Sequence, residues 1–434
     1  MIPLLLLLAL GGLMHAARSF SDTGVPGAEL AFGFLLLTAY FTAKIVSRLG
    51  LPKLTGYIIA GVIVGPFVLE LVTTEMTGSL KIVSGTASAI IALEAGAELE
   101  LARIRPVLKT LRALTVLSVL GTAAAIAGVI YAMRGTFGFL DGLDGDQTLV
   151  VCALLGIVLA AKSPAVVMAL IAETRAEGPL TSTILASVVV ADLCVIICYS
   201  IMSAITSAVI GGGLDVIATT LGVSWALLGS VAFGIVTGML IGQFLRSIAS
   251  GASLFAVMIC VVVAEVGTRI QLDPLIVMLA AGIWLRNFAR ADPSTLFRDF
   301  AAAQLPVFLV FFALAGAGLH IQELWTAIVP VAIIALVRAA SLFVGAKIAT
   351  AVTGAPPVVT KYVWYGMVPQ AGLALALALV LTKSFPSFGP EAAVILFGVV
   401  GLNECIAPIL LRLMLVRSGE AGKKQGVDFA ASGH

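Results

Sequence analysis

Charge is what this chain has least of. Asp, Glu, Lys and Arg make up 11% of its 434 residues, against roughly 25% in a soluble globule, which leaves too little polar material for a wet surface. Histidine is scarcer still: His15, His320 and His434 are all there are, and with five cysteines they lack the spacing of a metal site. Cys194 and Cys198 share one helical face, but both stand in an apolar run and read as small core thiols. No Walker loop or dinucleotide fingerprint occurs, so no cofactor is expected, and any driving energy has to come from an ion gradient or a partner. A net charge of +2 gives no reason to expect nucleic acid.

What is present is apolar: 60% of the chain, with a mean hydropathy of +1.14. That is the composition of a polytopic membrane protein whose solvent is the lipid bilayer. A helix needs about 20 apolar residues to cross. Beyond the N-terminal stretch, thirteen such runs follow, at 28–48, 54–72, 79–101, 108–133, 147–172, 180–209, 216–245, 252–270, 274–289, 300–320, 324–352, 358–383 and 390–415. They are rich in Leu, Ala and Gly and lack the alternation of barrel strands. The expected fold is therefore all-α, with 13 transmembrane helices.

Basic residues crowd alternate connections. Lys44, Arg48 and Lys53 flank the first, Arg103, Arg105, Lys109 and Arg112 the third, Arg286, Arg290 and Arg298 the ninth, and Arg412, Arg417, Lys423 and Lys424 the tail. These connections are expected on the cytoplasmic side, with residue 28 outside, the C-terminus inside and the chain in a bacterial-type inner (cell) membrane. Residues 1–27 hold a short apolar run, Ile2 to Leu13, of signal-peptide length but without a basic n-region. It reads equally as a cleaved signal or as an extra helix.

Two runs are interrupted. Residues 108–209 form three spans, the middle one broken at Lys162-Ser163-Pro164, and 324–415 form three more, the middle one broken in "MVPQAG" at Pro369, Gln370 and Gly372. The two triplets start on opposite sides. That pattern predicts an inverted-repeat secondary transporter, with the two breaks crossing near the midplane and forming the binding site. The remaining segments, 28–101 and 216–320, are expected to be scaffold helices around these core triplets, and 416–434 a cytoplasmic tail.

Charges inside the spans sharpen this. Glu94, Glu98, Lys162, Asp192, Glu265, Arg338, Lys347 and Glu404 lie away from the very ends. Each costs about 2.5–3.5 kcal/mol at mid-bilayer even on the gentler scale, so function is the first hypothesis for any of them. Lys162 and Asp192 lie roughly 15–18 Å deep when counted along their helices, near the middle of a ~30 Å core. Arg338 reaches the same layer from the other side. Asp192 is the lone carboxylate of "ILASVVVADLCVIICYS" and is expected to carry the ion and the proton. Lys162 admits two readings, a tethered competitor for the cation or a counter-charge for the breaks. Arg338 is always charged and is expected to pair with Glu404 or Asp192. Glu94 and Glu98 could face water, Glu265 is near an outer end, and Lys347 can snorkel.

The segments "LPKLTGYIIAGVIVGP", "ALEAGAELEL", "SPAVVMALIAETRAEGPLTSTILASVVVADLCVI", "PVFLVFFALAGAGLHI", "GMVPQAGLALALALVL" and "GLNECIAPILLRLMLVRSGE" follow one another along the chain. In that order they resemble the monovalent cation/proton antiporter superfamily, in particular its potassium/sodium-proton antiporter-2 branch. The likeness runs from about residue 28 to 420. It implies a homodimer in which a core of two inverted triplets moves like an elevator against a scaffold. It also places Asp192 on the family's ion- and proton-binding aspartate, Arg338 on the basic position of the helix opening the second triplet, and Ser163 and Gln370 within the crossed breaks. The chain departs from the family twice, with Ala191-Asp192 where relatives carry Asp-Asp or Asn-Asp, and Lys162 where many carry Thr.

The expected function is exchange of a monovalent cation, Na⁺ or K⁺, for H⁺. With one titratable carboxylate at the site, the natural stoichiometry is one for one. The competing expectation is an anionic or organic solute held by Lys162, Arg338 and the half-helix N-termini.

Overall fold

The structure, a computed structural model, describes residues 7, 9–14, 28–99, 101–104, 108–211, 225–247, 252–270, 272–289, 294–318, 327–370 and 372–423. Every regular element among them is helical. The main helices are α1 (Ala28–Arg48), α2 (Lys53–Val64), α3 (Lys81–Glu98), α4 (Leu108–Ala132), α5 (Gly145–Leu159), α6 (Pro164–Thr174) and α7 (Pro179–Gly211). They continue with α8 (Ser230–Ser247), α9 (Ala252–Arg269), α10 (Pro274–Phe288), α11 (Ser294–Ala317), α12 (Ile328–Thr353), α13 (Pro357–Tyr362), α14 (Gly372–Ser384) and α15 (Gly389–Arg417).

Among the described residues, seven stretches are long and apolar enough to cross a membrane: Leu30–Arg48, Leu108–Ala132, Gly145–Thr174, Pro179–Ile210, Ser230–Ser247, Ile328–Thr353 and Gly389–Arg417. Six others are apolar helices of 10–17 residues. The chain is thus a multi-pass membrane protein. Some expected spans are shorter than the hydropathy suggests. The run 54–72 stops as a helix at Val64, because Gly65 adopts an extended ψ ahead of Pro66. Of residues 1–27, only 7 and 9–14 are described, all as helix; the signal-or-helix question, the start of the 216–245 run and the end of the tail lie outside the described residues.

Local sequence explains the ends. Proline opens α6, α7 and α10, where its missing N–H would be unpaired anyway. Asp144 and Gln147 form a capping box at the start of α5. Gly354, at φ +65°, closes α12 in the left-handed conformation.

Three apolar clusters result. Helices α3, α8, α9 and α10 share one apolar cluster, including Leu93, Ile241, Val263 and Met278. Gly96 of α3 and Gly282 of α10 face each other's backbone so closely that a Cβ on either would strike a carbonyl, the small-residue crossing common in membrane helices. Helices α4, α5, α7, α12, α14 and α15 share a second cluster, including Ile126, Val158, Ile334 and Leu396. A third cluster joins α1, α2 and α11 to α6, α7 and α13. The buried Glu420 fastens the chain after α15 to the start of α7: its carboxylate accepts from the Leu180 and Thr181 N–H groups at 2.8 Å and from Thr181 Oγ1 at 2.7 Å. A negative group at that end also complements the helix dipole.

Candidate functional site

The two interruptions are real and they touch. Residues 161–163 are non-helical between α5 and α6, and 368–370 between a 3₁₀ turn (Val363–Met367) and α14. Pro164, expected within the first break, is already helical, because Pro at the first position starts a helix rather than prolonging a gap, and Gly372, expected within the second, opens α14. Ala371 lies outside the described residues.

Arg338 of α12 holds the crossing together, and it is fully buried. Its Nε donates to Leu159 O at 2.8 Å and Nη2 to Ala161 O at 3.0 Å, on the first break; Nη1 donates to Val368 O at 2.7 Å and Nη2 to Met367 O at 3.4 Å, on the second. The expected ion pair with Glu404 or Asp192 is therefore corrected. A broken helix leaves unpaired carbonyls at its C-terminal end, with the negative end of the dipole among them. A forked guanidinium satisfies several such carbonyls at once, as a carboxylate partner would not.

Gln370 makes a second tie. Its Nε2 donates to Leu159 O at 2.8 Å, and its Oε1 accepts from Asn403 Nδ2 of α15 at 2.6 Å. Both ends of the amide are engaged. Neither Gln370 nor Arg338 is among the residues that line the neighbouring cavity.

That cavity, of about 90 Å³, lies beside the first break and is lined by Lys162, Ser163, Asp192, Ser88 and Asp273, with Phe311 among its apolar walls. The volume corresponds to a few water molecules at ~30 Å³ each. Asp192 Oδ1 accepts the backbone N–H of Lys162 at 3.0 Å, while Oδ2 makes no hydrogen bond among the described residues. The Lys162 ammonium is held by backbone carbonyls. It donates to Ala160 O at 3.1 Å and Ser118 O at 3.4 Å, the latter within a π-helical turn of α4, Leu117–Gly121. A π turn displaces the regular ladder and exposes carbonyls to such a donor. Ser163 caps α6, its Oγ accepting from Val166 N at 3.2 Å, which leaves a lone pair for the cavity.

The weaker candidates scatter. Glu404 of α15 is buried, and neither of its oxygens has a hydrogen-bond partner among the described residues. Glu265 pairs with Arg269 one turn on. Lys347 donates to Thr360 O at 3.0 Å. Glu94 is buried in α3.

Sequence reasoning missed two residues that the geometry singles out. Asn403 is a polar side chain in mid-helix beside Glu404, and its signal was present in "GLNECIAP". Asp273 stands in "QLDPLIVM", an Asp-Pro opening of an apolar run and so a recognisable helix start.

Against known proteins, the description "Sodium/hydrogen exchanger, transmembrane" matches residues 33–417. The chain belongs to that family. A curated relative described as "Probable Na(+)/H(+) antiporter 3", from Methanocaldococcus jannaschii, is 22% identical over 396 residues, covering 89% of this chain and 96% of its own. Two solved structures of the sodium proton antiporter MjNhaP1 from the same organism share the fold. One, at pH 8, has a TM-score of 0.64 at 17% identity, covering 90% of this chain and 98% of that one. The other has a TM-score of 0.68 at 15% identity, covering 90% and 94%. As a sodium/hydrogen exchanger family member, the chain stands among transporters, not enzymes.

Proposed function

We propose that this protein is a secondary active transporter that exchanges a monovalent cation, Na⁺ or K⁺, for H⁺, with Asp192 carrying one or the other. The observation that carries the reading is the state of Asp192: one oxygen is pinned by the Lys162 N–H, and the other is left to a cavity of about 90 Å³. A carboxylate oxygen, the Ser163 hydroxyl and water are the oxygen ligands that a hard monovalent cation takes. The same carboxylate can hold a proton instead, so the two substrates exclude each other and exchange follows.

Residues 108–209 and 324–415 form the inverted-repeat core in this proposal, with 28–101 and 216–320 as scaffold of a thirteen-span homodimer. The core carries Asp192 across by elevator-type alternating access, in a bacterial-type cell membrane with the C-terminus inside. Support comes from the matching interruptions in the two triplets and from Arg338 and Gln370, which tie them into one unit. Ser163 is a ligand at the first break, Lys162 the backbone anchor of Asp192, and Gln370 and Arg338 framework. The anionic-solute reading loses ground on geometry: the Lys162 ammonium and the Arg338 guanidinium are both committed to backbone carbonyls.

The test is proton flux in proteoliposomes driven by Na⁺, K⁺ or Li⁺ gradients, with anion gradients as the alternative arm. Wild type is expected to respond to Na⁺ or K⁺, and folded Asp192→Asn to lose the response by about 100-fold or more, as removal of the group that carries the chemistry does. Full exchange in Asp192→Asn would sink the assignment, and a response to anions alone would sink the function.

A further inference from the structure

Asp273 stands at the start of α10, which packs with α3, α8 and α9, yet it lines the same cavity as Asp192. It is the N-cap of α10, with Oδ1 accepting from Leu275 N at 2.8 Å and Ile276 N at 3.3 Å. Its own N–H donates to Ser230 Oγ of α8 at 2.8 Å. Backbone and carboxylate are thus fixed by α8 and α10, while Oδ2 makes no hydrogen bond among the described residues. Asp192 is arranged in the same way, with one oxygen on a backbone N–H and the other uncommitted.

Two carboxylates, each pinned through one oxygen and sharing one small cavity, repel each other unless a cation stands between them. Neither can swing away, because each is held by a backbone N–H. Ser88 and Ser163 add hydroxyl oxygens to the same walls. We infer that Asp273 is a positioning residue for the transported cation: a second, fixed carboxylate that holds the ion, directly or through one water, against Asp192. In this arrangement α10 supplies one side of the coordination and the core the other. Movement of the core takes Asp192 and the ion away from Asp273, so Asp273 sets affinity in this conformation without travelling. The inference rests on the antiporter reading of Asp192.

Asp273→Asn separates the charge from the cap, because Asn caps a helix about as well as Asp. Asp273→Ser is a second capping residue without charge, and Asp273→Glu keeps the charge. In proteoliposomes, Asn and Ser are expected to raise the KM for Na⁺ about tenfold, the loss of one near charge in a partly screened site, with a smaller fall in maximal rate. Glu is expected to recover most of the affinity. Detergent-solubilised protein supplies a readout independent of transport: the Na⁺ concentration that half-maximally raises the thermal midpoint should shift by the same factor. A folded Asn or Ser variant with wild-type KM and wild-type Na⁺ midpoint overturns the inference. So does a lowered thermal midpoint with unchanged Na⁺ response, which would leave Asp273 a cap only. A wild-type protein with no cation response in either assay would sink the antiporter reading and this inference together.

Discussion

The interruptions at 161–163 and 368–370 look alike in sequence, a proline and a polar residue set into an apolar run, but they are held in different ways. At the second, the groups that meet the break are engaged with protein. Gln370 spends both ends of its amide on Leu159 O and Asn403, and Arg338 takes the carbonyls of Met367 and Val368. The first lends carbonyls to the same frame but turns its other side to a cavity, through Lys162, Ser163 and the Asp192 carboxylate attached to it. The two breaks divide the labour. One break fixes the crossing, and the other presents an uncommitted oxygen at it. In terms of principle, the satisfied half supplies rigidity, and the unsatisfied half is where a ligand can be worth something.

The largest effect should come from removing what joins the halves. Arg338→Ala deletes a charged donor with four carbonyl partners and leaves those of Ala161, Met367 and Val368 without one, while Leu159 O keeps Gln370. Each buried carbonyl left unsatisfied costs about 1–3 kcal/mol. A drop of that size in unfolding free energy, or failure to accumulate folded protein, is expected. Arg338→Lys should recover part of it, since an ammonium cannot fork across both breaks. A thermal midpoint within error of wild type in Arg338→Ala would mean that the breaks hold their crossing without it.

A smaller effect tests the reactive half. Lys162→Met keeps the backbone N–H on Asp192 and a side chain of similar length, and removes only the ammonium. With a positive charge gone from beside the site, the KM for Na⁺ should fall by about tenfold, while Asp192 remains anchored and exchange continues. Loss of exchange in folded Lys162→Met would instead make the lysine a participant in coupling, as the tethered-competitor reading requires. An unchanged KM would show that the ammonium's carbonyl partners already screen it.

How far these roles could be read from the chain follows from what kind of group each residue meets. The breaks were legible because Ser-Pro and Pro-Gln in an apolar run deny the helix its donors. Asp192 was legible because a single carboxylate in a long apolar helix needs a reason. The partners of Arg338 and Lys162 were not, since they are backbone carbonyls, and every residue has one. Charge-to-charge pairing is the natural guess from a sequence, and a carbonyl freed by a broken helix leaves no trace in side-chain identity. Asp273 was passed over because it stands at the end of a run, where an aspartate reads as part of a loop; its position in the cavity depends on how α10 packs against the helices around Asp192, a long-range fact. The end of α2 was marked by Gly65-Pro66, but hydropathy ran on past it.

The last expected effect is the smallest and has the opposite sign. Glu404 follows Asn403 on α15, behind the second break, and does not line the cavity. It is 1% exposed, and neither oxygen has a hydrogen-bond partner among the described residues. Arg338, its expected counter-charge, is committed to carbonyls. A buried polar group left unsatisfied costs about 1–3 kcal/mol, and an apolar residue of similar volume in its place is often neutral or stabilising. Glu404→Leu should therefore leave the thermal midpoint unchanged or raise it, by up to about 2 kcal/mol in unfolding free energy, with Na⁺-driven exchange at wild-type KM. Glu404→Gln keeps an unsatisfied amide in the same place and should gain less. Stabilised or wild-type-stable Glu404→Leu that no longer moves protons would overturn the division drawn above: the second break would then have a carboxyl that takes part in transport, and Asp192 would not carry the proton alone.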